Sequence, residues 1–182
     1  ISNSASGLVH IKNGKLNMQE TTGQTPAILN SKSGKIIVSG GTINMTGTNA
    51  AIYNGYNNQQ GDGTVEIRGG TIESSNTGIY NGEKAKLVIS NGIINSVSDG
   101  IEQHGSGSTT ITGGTITSTG SDKSGLAVGE GSATVTGGTI SGGKHGIWTS
   151  VDSNPTVTLG SDDGKVSISS PEVKSLTGTG IL

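Results

Sequence analysis

Six side chains with the chemistry of sugar recognition lie on or just beyond equivalent short segments of this chain: Tyr53, Tyr56, Tyr80, Glu102, His104 and Trp148. The four aromatic ones are all the aromatic residues that the chain contains, since it has no Phe. Aromatic rings can stack on the apolar faces of sugars, while carboxylate and imidazole groups bond to the hydroxyls. These residues therefore predict a glycan-binding face. The alternative interpretation is that the rings only cover the surface of a sheet.

A repeated motif positions these residues. Gly-Gly-Thr-Ile, or a degenerate form of it, begins at Asn13, Gly40, Gly69, Asn91, Gly113 and Gly137, with a weaker copy near Asp163. The spacing of 22 to 29 residues lies in the range of solenoid proteins. Gly makes up 33 of the 182 residues, and apolar residues alternate with polar ones instead of following a helical period. The sequence predicts an all-β solenoid of about seven turns, each with three short strands, in a single domain over residues 1–182.

One strand of each turn carries the candidate face. Its inward residues pair an aliphatic side chain with an amide in four turns, ending in Asn30, Asn54, Asn81 and Gln103. Its outward residues are Leu29, Tyr53, Tyr80, Glu102, Ala127 and Trp148. Because side chains alternate across a strand, the outward residues should stack in one column. The inward amides are expected to bond to one another as a structural ladder.

The Gly-Gly pair is expected to form the corner between two strands. Such a tight turn needs a residue at positive φ, which Gly adopts freely and Asn tolerates. Asn13 and Asn91 stand where other turns have the first Gly, and we interpret them as substitutes for it.

The three-strand turn, the Gly/Asn corner and the amide ladder resemble the right-handed parallel β-helix family typified by pectate lyases, polygalacturonases and bacterial surface adhesins. The resemblance covers residues 8–170. It implies a bacterial protein that is secreted or attached to the cell surface, and a polysaccharide face formed by the Ile-Tyr-Asn-Gly strand. The absence of Cys is compatible with that setting. The chain looks like a fragment of a larger protein, with flanking domains as further partners.

Catalysis needs converging acids, which the spacing does not bring together. Glu102 and His104 could form an acid/base pair, and Asp99 lies in the turn before that strand, but Glu83, Glu130 and Asp152 fall in loops at other levels. The Gly-His-Gly and Arg-Ile-Lys segments of polygalacturonases are absent. We predict no catalytic residues and no cofactor. Polysaccharide hydrolysis or elimination remains an alternative.

Metal, nucleic-acid and membrane partners are not expected. His10, His104 and His145 lack metal-ligand spacing, and Asp162 and Asp163 read as turn residues. A net charge of −2 with a single arginine, Arg68, gives no basic stripe for nucleic acid, and no apolar run could span a bilayer.

The preferred interpretation is an extracellular, non-catalytic adhesin or carbohydrate-binding module. A plain stalk that displays other domains is the second interpretation. Outward threonines such as Thr115, Thr117 and Thr139 also resemble the arrays of ice-binding solenoids, although Glu73 and Ile93 interrupt them.

Overall fold

The computed structural model describes residues 1–21, 25–55, 61–160 and 166–169. All regular structure within these ranges is β-strand, and every strand pairing is parallel. The chain coils through two sheets, so that each turn stacks on the one before it. The prediction of an all-β parallel solenoid is confirmed.

A seven-stranded sheet carries one strand from every rung of the coil. Its strands, in spatial order, are β1 (Ser2–Asn3), β4 (Ile28–Asn30), β7 (Ile52–Asn54), β9 (Ile79–Asn81), β11 (Ile101–Gln103), β13 (Ser124–Val128) and β15 (His145–Thr149). Seven rungs make about six full turns between the first strand and the last. Most of these strands have three residues, which is enough to present one outward side chain between two inward ones.

A ten-stranded sheet forms the other two sides of the coil. Its strands are β2 (Leu8–Ile11), β3 (Lys15–Gln19), β5 (Lys35–Val38), β6 (Thr42–Thr46), β8 (Thr64–Ser74), β10 (Lys86–Ser96), β12 (Ser108–Ser118), β14 (Ser132–Ser141), β16 (Thr156–Leu159) and β17 (Val166–Ser169). The sequence predicted three separate strands in every turn. In β8, β10, β12 and β14, however, the strands before and after the glycine pair run on as one through the corner.

The corner explains this continuity. Strand pairing resumes directly beyond each glycine pair, with register shifts confined to the bend, and Thr71 N donates to Gly41 O of the rung below at 2.9 Å. The positive φ lies on the second residue of each pair, as at Gly70 and Gly92. Asn13 and Asn91 are therefore not substitutes at the strained position, because glycine fills that place in every corner that the structure describes.

The core is a set of stacked aliphatic columns. One column runs along the seven-stranded sheet in strict register: Ile28, Ile52, Ile79, Ile101, Leu126 and Ile147. The first five of these side chains are fully buried, and each such burial stabilises the fold by about 1.5–3 kcal/mol. The stacking fixes the register, because a slip by one residue would turn every apolar side chain outward.

Beside this column runs the predicted amide ladder. Asn30 Nδ2 donates to Asn54 Oδ1 at 2.8 Å, and Asn54 Nδ2 donates to Asn81 Oδ1 at 2.8 Å. Asn81 Nδ2 in turn donates to Gln103 Oε1 at 2.7 Å. All four side chains are fully buried, and the hydrogen bonds between neighbours offset the cost of burying them. Asn30 Oδ1, at the end of the ladder, is the one buried side-chain oxygen or nitrogen among the described residues that has no hydrogen-bond partner. The ladder belongs to the scaffold and does not reach the surface.

Candidate functional site

The outward column of the seven-stranded sheet is formed as predicted. Tyr53 pairs with Tyr80, Tyr80 with Glu102, Glu102 with Ala127, and Ala127 with Trp148. Since stacked rungs lie about 4.8 Å apart, these side chains form one row along the molecule. Tyr56 lies outside the described residues.

Two ring contacts organise one end of this row. The ring centres of Tyr53 and Tyr80 lie 4.9 Å apart and are tilted by 44°. The ring centre of Tyr80 lies 5.1 Å from that of His104, with only 14° between their planes. The three rings therefore form a continuous aromatic ridge. Burial raises the pKa of Tyr80, so its hydroxyl stays protonated and can donate a hydrogen bond at neutral pH.

Glu102 and His104 form an ion pair next to this ridge. Glu102 Oε2 lies 3.5 Å from His104 Nε2, and Thr77 Oγ1 donates to Glu102 Oε1 at 2.6 Å. Burial favours the neutral form of Glu102, but the hydrogen bonds from His104 and Thr77 outweigh it and lower the pKa of Glu102. The hydrogen bond with Glu102 raises the pKa of His104. A charged carboxylate and a charged imidazole are thus favoured together.

A cleft of about 310 Å³ begins where the aromatic ridge ends. The ion pair of Glu102 and His104 lies on one side of it and Trp148 on the other. Ala127 and Gly129, on the rung between them, leave the space open. Trp148 is 43% exposed. The cleft therefore exists because two small residues interrupt a column that carries larger side chains on both neighbouring rungs.

Polar groups complete the lining: Asp99, Asp122, Lys123 and Lys144 from the loops before β11, β13 and β15, and His145, the first residue of β15. Asp99 Oδ1 accepts a hydrogen bond from Ser124 N at 2.7 Å, and its other oxygen lies 4.0 Å from Lys123 Nζ. Burial raises the pKa of Asp99. The cleft thus offers carboxylates, ammonium groups and imidazoles around one indole ring.

The sequence-based prediction missed Asp122, Lys123, Ser124 and Lys144 as neighbours of this site. A signal for them was present. Asp99, Ser124 and His145 each directly precede the glycine that leads into an inward aliphatic residue, and Ser124 pairs with His145 across the sheet. Counting back from those glycines aligns the loop residues of successive turns, including the lysines and Asp122.

The acids do not make a metal centre. Within the described ranges, no group of three or more His, Cys, Asp or Glu side chains is arranged to hold a metal ion. Asp162 and Asp163 fall outside those ranges. Glu66 lies on the other sheet, where its ion pairs with Lys35 and Arg68 lower its pKa. That cluster is separate from the cleft.

The groups that line the cleft are of the kinds that bind a polar ligand. They supply an exposed aromatic wall, hydrogen-bond acceptors and hydrogen-bond donors within one small cleft, which suits a polar ring with apolar faces. An acid/base pair is also present in Glu102 and His104, whose pKa values are shifted toward the ionised forms.

No helix among the described residues is long and apolar enough to cross a membrane.

Comparison with known proteins addresses the fold. No curated protein and no solved structure matches the chain. A family model described as "Right handed beta helix region" matches residues 56–160, more than half of the 182 residues. This segment contains the rungs that carry Tyr80, Glu102, Ala127 and Trp148. The parallel coil of stacked rungs and this match together show that the chain belongs to the right-handed β-helix family.

Proposed function

We propose that this β-helix is a non-catalytic, extracellular carbohydrate-binding module of the adhesin type. The single observation that carries the proposal is the cleft between the Glu102–His104 pair and the exposed ring of Trp148. The ligand contacts are assigned to Tyr53, Tyr56, Tyr80, Glu102, His104 and Trp148. The same proposal includes a bacterial source, a secreted or cell-surface location, and flanking domains in the same protein.

Sugar chemistry fits this face better than other ligand classes. A sugar ring presents axial C–H groups that pack on an aromatic face and hydroxyls that need both donors and acceptors. Trp148 supplies the aromatic face, Glu102 and Asp99 supply acceptors, and Lys123 supplies a donor. A purely apolar ligand would leave these charged groups desolvated without partners, which opposes binding.

A rigid scaffold favours recognition over mere coverage of the sheet. The strands beneath the cleft are held in register by buried aliphatic side chains, and the amide ladder ends at Gln103 on the first of these strands. A site on such a scaffold binds with little loss of conformational freedom, since its groups are already ordered.

Polysaccharide cleavage by the same cleft is a second candidate, and one observation favours it. Burial raises the pKa of Asp99 while hydrogen bonds lower the pKa of Glu102. Carboxyl groups whose pKa values are pushed apart can act as acid and base. Release of reducing or unsaturated ends from a polysaccharide, lost in Glu102→Gln, would establish catalysis and overturn the non-catalytic assignment.

The proposal is tested with a glycan array, using the wild-type chain and the double variant Tyr80→Ala/Trp148→Ala. We expect the wild type to bind a defined group of glycans, and the double variant to lose that binding while it keeps the β-rich circular dichroism spectrum. Binding that survives the double substitution would remove the aromatic face from the proposal. No binding to any glycan would favour a structural stalk or a protein-binding surface.

A further inference from the structure

We propose that the cleft is a subsite for one uncharged sugar ring and that Ala127 sets the size of the ring-binding space. This inference rests on the proposed glycan-binding function and specifies its ligand. It adds two points to that function. The ligand is uncharged, and Ala127, by its small side chain, leaves the space in which the ligand fits.

The rung spacing limits the size of the ligand. Glu102 and Trp148 belong to rungs two steps apart, with the rung of Ala127 between them. Two steps correspond to about 9.6 Å at the usual strand spacing. Stacked rings need about 4.5 Å or more between their centres, so this gap admits one ring between two walls and not two. The cleft volume of about 310 Å³ is at the small end of the range for ligand sites.

Small residues keep this space open. Ala127 is the outward residue of its strand, and Gly129 follows closely and adjoins the imidazole of His104. A Cβ atom added at Gly129 would lie 3.3 Å from His104 Cε1, so even a methyl group there would crowd the imidazole. A Tyr at position 127 would continue the row begun by Tyr53 and Tyr80 and would fill the gap.

The lining of the cleft carries charges of both signs. Three carboxylates, Asp99, Glu102 and Asp122, lie around the cleft together with Lys123 and Lys144. His104 pairs with Glu102, and Lys123 lies near Asp99. Either sign of charge on a ligand would therefore meet like charge at short range, which opposes binding in a partly desolvated site.

Hydroxyl groups avoid that conflict. A hydroxyl both donates and accepts, so it can satisfy the carboxylates and the ammonium groups without adding charge. Hydrogen bonds from Thr77 Oγ1 to Glu102 and from the backbone N–H of Ser124 to Asp99 hold these two carboxyl groups in fixed positions. The remaining lone pairs define acceptor positions for the hydroxyls of a neutral ring.

The test compares three methyl glycosides, of a neutral hexose, a hexuronic acid and a hexosamine, by titration calorimetry at low and at high salt. The glycan class found on the array fixes the stereochemistry of the hexose. We expect the neutral glycoside to bind best, with an affinity that salt hardly changes. Stronger binding of the acid or the amine would overturn the charge selection.

The size selection is tested with Ala127→Tyr. We expect the affinity for the neutral glycoside to fall by about tenfold or more, because the ring loses its place against Trp148. Ala127→Ser, which keeps the space, should retain the affinity. Leu29→Tyr makes a similar change in the same outward column, three rungs away from Glu102, and serves as the matched control. Thermal unfolding of each variant verifies that the fold is kept.

The outcomes separate the two claims. Wild-type affinity in Ala127→Tyr, with glycan binding intact, would sink the assignment of Ala127 and leave the glycan-binding function standing. A wild-type chain that binds none of the glycans on the array would sink the proposed function, and this inference would fall with it.

Discussion

The pairing of Glu102 with His104 gives the candidate site a defined charge state. Each partner shifts the pKa of the other toward the ionised form, so that the carboxylate and the imidazolium coexist over a wider pH range than they would apart. The imidazole also stacks on Tyr80, which places a cationic ring against an aromatic face. The charge on a protonated His104 therefore lies against the ring of Tyr80.

We expect His104 to titrate above the ordinary histidine value of 6.5, and Glu102→Gln to lower its pKa. The substitution removes the hydrogen-bonding carboxylate that favours the imidazolium. The pKa can be measured from the pH dependence of the imidazole proton shifts in NMR spectra. Glu130→Gln is the control, because Glu130 acts on His104 only through a weaker charge attraction. An unchanged pKa in Glu102→Gln would contradict the ion pair.

The sign of the linked stability follows from these shifts. The raised pKa of His104 stabilises the fold fully below the unfolded value near 6.5, and this contribution is lost as the pH rises through the folded pKa. The lowered pKa of Glu102 stabilises the fold above its unfolded value near 4.5, and this contribution is lost as the pH falls through the folded pKa. The pair therefore contributes most between these two values.

At the scale of the element, the corner glycines combine two separate requirements. Gly14 and Gly138 have the same φ of +94°. Around Gly14, a Cβ atom would meet nothing within 4 Å, whereas at Gly138 it would lie 2.8 Å from Gly114 O of the rung below. Gly14 belongs to the first rung and has no rung below it among the described residues. The two positions separate backbone strain from the close approach of stacked corners.

We expect Gly14→Ala to destabilise the chain by about 1–2 kcal/mol, the cost of a left-handed conformation for a residue with a Cβ. Gly138→Ala should cost roughly twice as much, since the added methyl group also collides with the backbone of the neighbouring corner. Urea denaturation followed by circular dichroism measures both values. Equal losses in the two variants would show that conformational strain alone explains the glycine.

The sequence specified the repeating elements well because their residues obey a period. Ile79 and Ile101 occur at equivalent places of successive turns, so the inward columns, the amide ladder and the row from Tyr53 to Trp148 followed directly. The merging of strands through the corners could not be predicted from apolar alternation alone, since it depends on backbone hydrogen bonds across the bend. Asp122 and Lys144 lie in loops, where the apolar alternation that marks the strands is absent, so they align only when counted back from Gly125 and Gly146.

At the scale of the whole molecule, each rung contacts mainly the rungs next to it. Stability in such a solenoid is close to a sum of rung terms and neighbour terms, and the end rungs have one neighbour fewer. In the first rung Val9 and Ile11 are only partly buried, whereas Ile101 and Ile111 in the middle are fully buried. The candidate cleft is built on rungs toward the carboxyl-terminal end of this coil.

We therefore expect amide hydrogen exchange to be slowest in the central rungs and faster in the first one. Residues 8–19 should exchange well before residues 86–118, because local opening of an end rung exposes less apolar surface. Hydrogen exchange followed by mass spectrometry of peptides from each segment measures the difference. Equal protection of the two segments would indicate that the coil opens only as a single cooperative unit.

The fixed distance between neighbouring rungs also sets the distance between side chains that belong to different turns. Glu102 and Trp148 are separated by two steps because one repeat lies between them. Duplication of that repeat would move Glu102 and Trp148 one step further apart, and its loss would bring them onto adjacent steps. In both cases the inward side chains would still stack on equivalent side chains of the neighbouring rungs. Slippage between similar repeat-encoding segments of a gene would therefore change the distance between Glu102 and Trp148 by whole steps while the fold is kept.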